Sequence, residues 1–102
     1  MGATKISFVY SNPIDPAAFE AAYGAQIEMA RKLPGLTGLQ ASKVWPREDG
    51  SPPPAYRLLD LYFADYAAAS TASAAAGDLV KATLQHSTSG VLIAFMEVVE
   101  DA

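Results

Sequence analysis

An α+β domain of order βαββαβ, a four-stranded antiparallel sheet with its helices on one face, is predicted by three features of this chain. A run of strand periodicity is followed by a run of helical periodicity. Two β-like runs then flank a proline-rich break, and alanine-rich helical sequence leads into a last apolar strand. The 102 residues, 51% hydrophobic, suffice for one domain over residues 1–102 with a modest core.

Thr4 to Tyr10 alternates, with Ile6, Phe8 and Tyr10 on one side and Lys5, Ser7 and Val9 on the other, and stops at Ser11-Asn12-Pro13. Asp15 then caps a helix whose first position is Pro16, and Pro34-Gly35 ends it. Leu36 to Trp45 is β-like, residues 46–54 form a hairpin loop rich in proline, and Tyr56 to Phe63 is the third strand. In that strand Tyr56, Leu58 and Tyr62 share one side with Asp60, opposite Leu59, Leu61 and Phe63. Asp65 caps a helix from Tyr66 to about Ala72, and Ser73 is expected to cap another through Leu79, Val80 and Leu84 toward Gln85. A polar loop from His86 to Ser89 ends at Gly90. Val91 to Val99 is almost continuously apolar, as a central or doubly covered strand would be.

Two βαβ halves of this kind make the ferredoxin-like arrangement, which leaves one sheet face without cover from its own chain. The third and fourth strands are apolar on both sides, so a lone copy would expose more apolar surface than soluble monomers usually do. A homodimer through the open sheet face is the expected remedy.

The first helix carries an anomaly. At about 100° per residue, Phe19, Ala22, Tyr23, Ala30 and Leu33 form the apolar stripe, and Gln26 points with them. A buried amide without partners costs on the order of 1 to 3 kcal/mol. Gln26 therefore requires a protein partner, an ordered water or a ligand.

Bulk properties remove several functions. Net charge is −4, and the seven basic residues are scattered, so no nucleic-acid surface is expected. The absence of cysteine excludes thiolate metal sites and thiol nucleophiles, and a single histidine argues against a protein metal centre. No stretch reaches the ~18 apolar residues of a membrane span, and the N-terminal apolar run is short for a secretory signal, so a cytoplasmic protein is expected. No G-x-S-x-G context surrounds the serines, and no phosphate-binding glycine loop follows a strand.

The ordered set of Phe19 and Tyr23 in the first helix, LPGL at Leu33 to Leu36, LLDLYFADYAA from Leu58 to Ala68 and Gly90-Val91 at the last strand resembles the EthD family of dimeric α/β-barrel proteins. That family is named for a component linked to ethyl tert-butyl ether degradation. The resemblance implies a homodimer whose two sheets close into a barrel, with a small pocket in each subunit between helices and sheet. Relatives in the wider superfamily include lactone isomerases, small oxygenases and haem-degrading enzymes, and fold membership does not select among them. Similar chains commonly carry a histidine nine residues before the LPG glycine, where this chain has Gln26. An amide does not transfer protons near neutral pH, but it can orient a carbonyl or hydroxyl compound.

Each candidate site residue has a functional and a plain reading. Gln26 either binds ligand or bonds protein groups across the core, and Tyr23 either presents its hydroxyl to the same pocket or reaches water from the core edge. His86 alone has an unperturbed pKa suited to proton shuttling, but it also suits a helix C-terminus. Asp60 is a buried base if it faces the helices, or an ion-pair partner of Arg57, Lys43 or Arg47 if it faces the barrel seam. Trp45 either caps the pocket mouth or packs on the dimer partner.

The expected function is an EthD-like catabolic enzyme or accessory protein acting, without metal or cofactor, on an apolar or aromatic oxygen-containing compound. Isomerisation, dehydration and cofactor-independent oxygenation all remain open, with His86, Asp60 and Tyr23 as catalytic candidates and Gln26, Tyr23 and Trp45 as binding candidates. Were haem to bind, His86 would be its axial candidate. The alternative is a non-catalytic small-molecule-binding or dimeric interaction protein.

Overall fold

Seven elements follow one another: β1 (Thr4–Tyr10), α1 (Pro16–Arg31), β2 (Leu36–Lys43), β3 (Arg57–Phe63), α2 (Tyr66–Ala74), α3 (Gly77–His86) and β4 (Val91–Glu97). The structure, a computed structural model, describes residues 3–86 and 89–101, and the side chain of His86 lies outside what it describes. The strands form one antiparallel sheet in the order β2-β3-β1-β4, the ferredoxin-like topology. No described helix is long and apolar enough to cross a membrane.

The helix starts follow from local chemistry. The Asp15 carboxylate accepts from the Ala18 N–H at 3.2 Å, with Pro16 at the first helical position. The Asp65 carboxylate does the same for Ala68 at 2.8 Å. Ser73 caps nothing: it lies inside α2, which alanine propagates to Ala74, and α3 begins only at Gly77. His86 is the last residue of α3 rather than the first of a loop. Between α1 and β2, Gly35 takes a positive φ of 77° that a side chain would resist, which is what closes the helix against the next strand.

Burial assigns the two faces of the sheet. Ile6, Phe8 and Tyr10 of β1 and Leu59, Leu61 and Phe63 of β3 join Phe19, Tyr23 and Ala30 of α1, Ala69 and Ala72 of α2, and Leu79 of α3 in one buried core. The alanines let the α2 backbone lie close to β1 and β3. The opposite face has no helix. Its middle row runs Gln40, Asp60, Ser7, Ala94 across the four strands, and the neighbouring row runs Ser42, Leu58, Val9, Leu92.

Two expectations about strands need correction. Tyr56 precedes β3 and packs its ring edge-on against Phe19, 5.2 Å between centroids, so it does not share the open side with Leu58. β4 is an edge strand, not a central one, and its residues from Leu92 to Glu97 are exposed. A continuous apolar run marks a strand whose two faces both seek cover, but it carries no information about which strands flank it.

Candidate functional site

The buried amide predicted from the α1 stripe sits in a buried cluster of aromatic and hydroxyl-bearing residues from three elements. Gln26 is 1% exposed. Its Oε1 accepts from the Tyr10 hydroxyl of β1 at 3.2 Å and from the Thr83 hydroxyl of α3 at 3.3 Å. Both contacts are longer than the ~2.8 Å of a tight hydroxyl bond, so the amide is held loosely. Its Nε2 is buried with no partner among the described residues. Turning the amide over would set Nε2 against the same two hydroxyls, leave Oε1 without a partner and take from the hydroxyl protons the acceptor they now share.

Tyr10 is the hub of the surrounding rings. Phe19 and Tyr23 approach it edge-on, at centroid distances of 5.2 and 5.6 Å, and those two stack on each other at 5.3 Å. This follows from sequence spacing: Phe19, Tyr23 and Gln26 are four and three residues apart on one helix face, and Tyr10 ends the strand they cover. Burial pushes the Tyr23 phenol up to about 12 and raises Tyr10 further. Both phenols are therefore protonated near neutral pH and act as hydrogen-bond donors, not bases.

An ion pair roofs the cluster. Arg57 Nε donates to a Glu20 carboxylate oxygen at 2.8 Å, and a second guanidinium nitrogen contacts the other oxygen. The guanidinium lies 4.9 Å over the Tyr23 ring. Arg57 holds the Glu20 carboxyl below the usual carboxylate range. Tyr23 itself donates to the Leu58 carbonyl at 3.4 Å, a long contact.

Of the residues singled out from sequence, Tyr23 and Gln26 meet here. Asp60 does not: it lies on the helix-free face, where Ser7 donates to it and Lys5 Nζ stands 4.0 Å away. Its expected partners are elsewhere, since Arg57, three residues along the strand, faces the helices and is bound to Glu20. Asp60 is nonetheless 6% exposed, so it is a buried carboxylate on the uncovered face. Trp45 is 86% exposed on the loop after β2, where it lines a groove of about 390 Å³ with Lys43, Val44 and Pro46. It is no part of the Gln26 cluster. The role considered for His86 falls on a side chain outside the described residues. Tyr10 and Thr83 were not among the sequence candidates; the place of Tyr10 on the apolar side of β1 was the available signal, and Thr83 had none.

The cluster offers one chemical capability. It presents an amide and neutral hydroxyls inside aromatic walls, suited to holding a polar oxygen of an otherwise apolar molecule.

No protein-family model matches the chain. An 11.0 kDa protein of the thcB-thcC intergenic region of Rhodococcus erythropolis is 37% identical over 71 residues, 69% of this chain and 68% of that protein. Among solved structures, an ethyl tert-butyl ether degradation (EthD) family protein from Bacillus halodurans superposes with TM-score 0.85 at 19% identity, covering 93% of this chain and 97% of that one. A dimeric ferredoxin-like protein from an uncultured marine organism gives 0.69 at 18% identity, over 98% and 99% of the two chains. SnoaB, a cofactor-independent oxygenase from Streptomyces nogalater, gives 0.65 at 17% identity, over 97% and 94%. The chain thus belongs to one family with the Rhodococcus erythropolis protein, and its fold is EthD-like.

Proposed function

We propose that this chain is an EthD-like catabolic enzyme or accessory protein that acts as a homodimer and binds an apolar or aromatic, oxygen-containing small molecule between its helices and sheet, without a metal. One observation carries the reading: a fully buried amide with one end unpartnered among the described residues, enclosed by Tyr10, Phe19, Tyr23 and Thr83. Such a group costs on the order of 1 to 3 kcal/mol in an empty apolar surround, and a ligand oxygen or an ordered water removes that cost. The likeness in fold to an EthD family protein and to a cofactor-independent oxygenase agrees with work on small organic molecules.

A homodimer is supported by the helix-free sheet face, where Leu92 is 72% exposed, and by the dimeric relative of the same fold. The second reading, binding without turnover, is favoured by one feature. Gln26 and the two protonated phenols include no group that exchanges protons near neutral pH.

The test is titration of the wild-type protein and Gln26→Leu with anisole and acetophenone, read by the side-chain amide signals of Gln26 and by thermal shift, with sedimentation recording the oligomer. Wild type is expected to bind at least one probe with movement of the Gln26 amide signals, and Gln26→Leu is expected to stay a folded dimer with weakened binding. Unchanged affinity in the variant would return Gln26 to a purely structural role.

A further inference from the structure

We infer that the Gln26 site selects a neutral ligand whose oxygen only accepts hydrogen bonds, such as a ketone, lactone or ether, over the alcohol or carboxylic acid of the same shape. The inference rests on the small-molecule reading above and narrows its ligand class.

The inventory of donors and acceptors around the amide leads there. Oε1 has two acceptor positions, and the hydroxyls of Tyr10 and Thr83 occupy both. Nε2 keeps two N–H groups with no acceptor among the described residues. The opposite orientation of the amide would spend those N–H groups on the two hydroxyl oxygens and leave Oε1 bare. It would also take from the Tyr10 and Thr83 protons the acceptor they have in the structure, and Tyr10 has a proton to place because burial keeps its phenol protonated. One orientation leaves a single NH2 group unpartnered; the other leaves a carbonyl and one hydroxyl proton, the Thr83 proton turning to the Tyr10 oxygen. The first is favoured, and it presents donors to whatever enters.

Neutrality follows from the surroundings. The walls are Phe19, Tyr10 and Tyr23, and the cation nearest Tyr23, Arg57, is already committed to Glu20 through two nitrogens. A carboxylate brought beside the amide would lose its water and gain no free counter-charge from the described residues there.

Three compounds of nearly equal shape separate the cases: acetophenone, 1-phenylethanol and ethylbenzene, each titrated into wild type and Gln26→Leu. Wild type is expected to bind acetophenone about tenfold or more tighter than 1-phenylethanol, the scale of one buried hydrogen bond gained against one mismatched. Gln26→Leu is expected to erase that preference. The carbonyl stretch of bound acetophenone in wild type is expected at lower wavenumber than that of the free ketone in an apolar solvent, a readout that does not depend on the variant folding. Equal or tighter binding of the alcohol by wild type would overturn the selectivity and leave the small-molecule reading in place. Binding of none of the three would overturn both.

Discussion

The Thr83 hydroxyl of α3 donates to the Gln26 amide oxygen of α1 at 3.3 Å, across 57 positions of sequence. That contact ties the two helices together by a polar link inside an otherwise apolar layer. Thr83→Val keeps the shape, removes the donor and leaves Oε1 with Tyr10 alone. It is expected to lower stability by about 0.5 to 1.5 kcal/mol in urea unfolding. Gln26→Leu alone is expected to cost about 1 to 3 kcal/mol, because it strands two buried hydroxyls. The double variant should be less destabilised than the sum of the two, since one stranded group disappears; strict additivity would mean that the contact carries no energy.

That pair also marks what a sequence discloses and what it withholds. Gln26 is legible because helical periodicity places a polar residue among Phe19, Tyr23 and Ala30, and the structure buries all four. Thr83 is illegible because threonine is ordinary on a helix, and nothing local says that α3 brings it against α1. The strand order shows the same division. Alternation along β1 and from Arg57 to Phe63 of β3 sorts residues into two sides, since pattern is a local property, but burial in the structure is what shows which side the helices cover. The edge position of β4 and the Ser7 and Lys5 partners of Asp60 depend on which strands lie beside one another, which a run such as VLIAFMEVV does not encode.

Ser7 donates to Asp60 on the helix-free face, and both are buried within the single chain. Ser7→Ala removes that donor from a carboxylate whose one ion-pair contact among the described residues is Lys5 at 4.0 Å. The expected loss is about 1 to 3 kcal/mol of unfolding free energy, the scale for a buried polar group deprived of its partner. A loss within ±0.5 kcal/mol, the range usual for a surface change, would mean that water already reaches the carboxylate.

Alkaline pH probes the aromatic cluster. Burial raises the Tyr23 phenol to about 12 and Tyr10 further, against about 10 for an unfolded tyrosine. A group whose folded pKa lies above its unfolded value contributes stability that is complete below the unfolded pKa and is lost as pH rises through the folded one. The melting temperature should therefore hold to about pH 9 and fall as pH rises past about 10, with tyrosinate absorbance appearing late for these two rings. Tyr23→Phe, which cannot ionise at that position, is expected to fall less steeply over the same range. A slope identical to wild type would mean that Tyr23 ionises as freely in the folded chain as in the unfolded one.

Leu92 tests the assembly. It stands on the helix-free face in register with Val9 of β1, which in turn faces Leu58 of β3, and 72% of it is exposed in the single chain. Because no core contact depends on it, Leu92→Lys is expected to leave the folded protomer intact, with far-ultraviolet circular dichroism unchanged. If two copies join through this face, each dimer buries the site twice, and a lysine there places two like charges in an interface that is otherwise apolar along the Leu58, Val9, Leu92 row. Sedimentation at micromolar concentration is expected to show wild type as a dimer and Leu92→Lys shifted toward single copies, with the shift partly relieved at high salt as the charges are screened. A wild type that sediments as single copies would remove the face-to-face homodimer, and a variant that dimerises as tightly as wild type would move the interface to another surface.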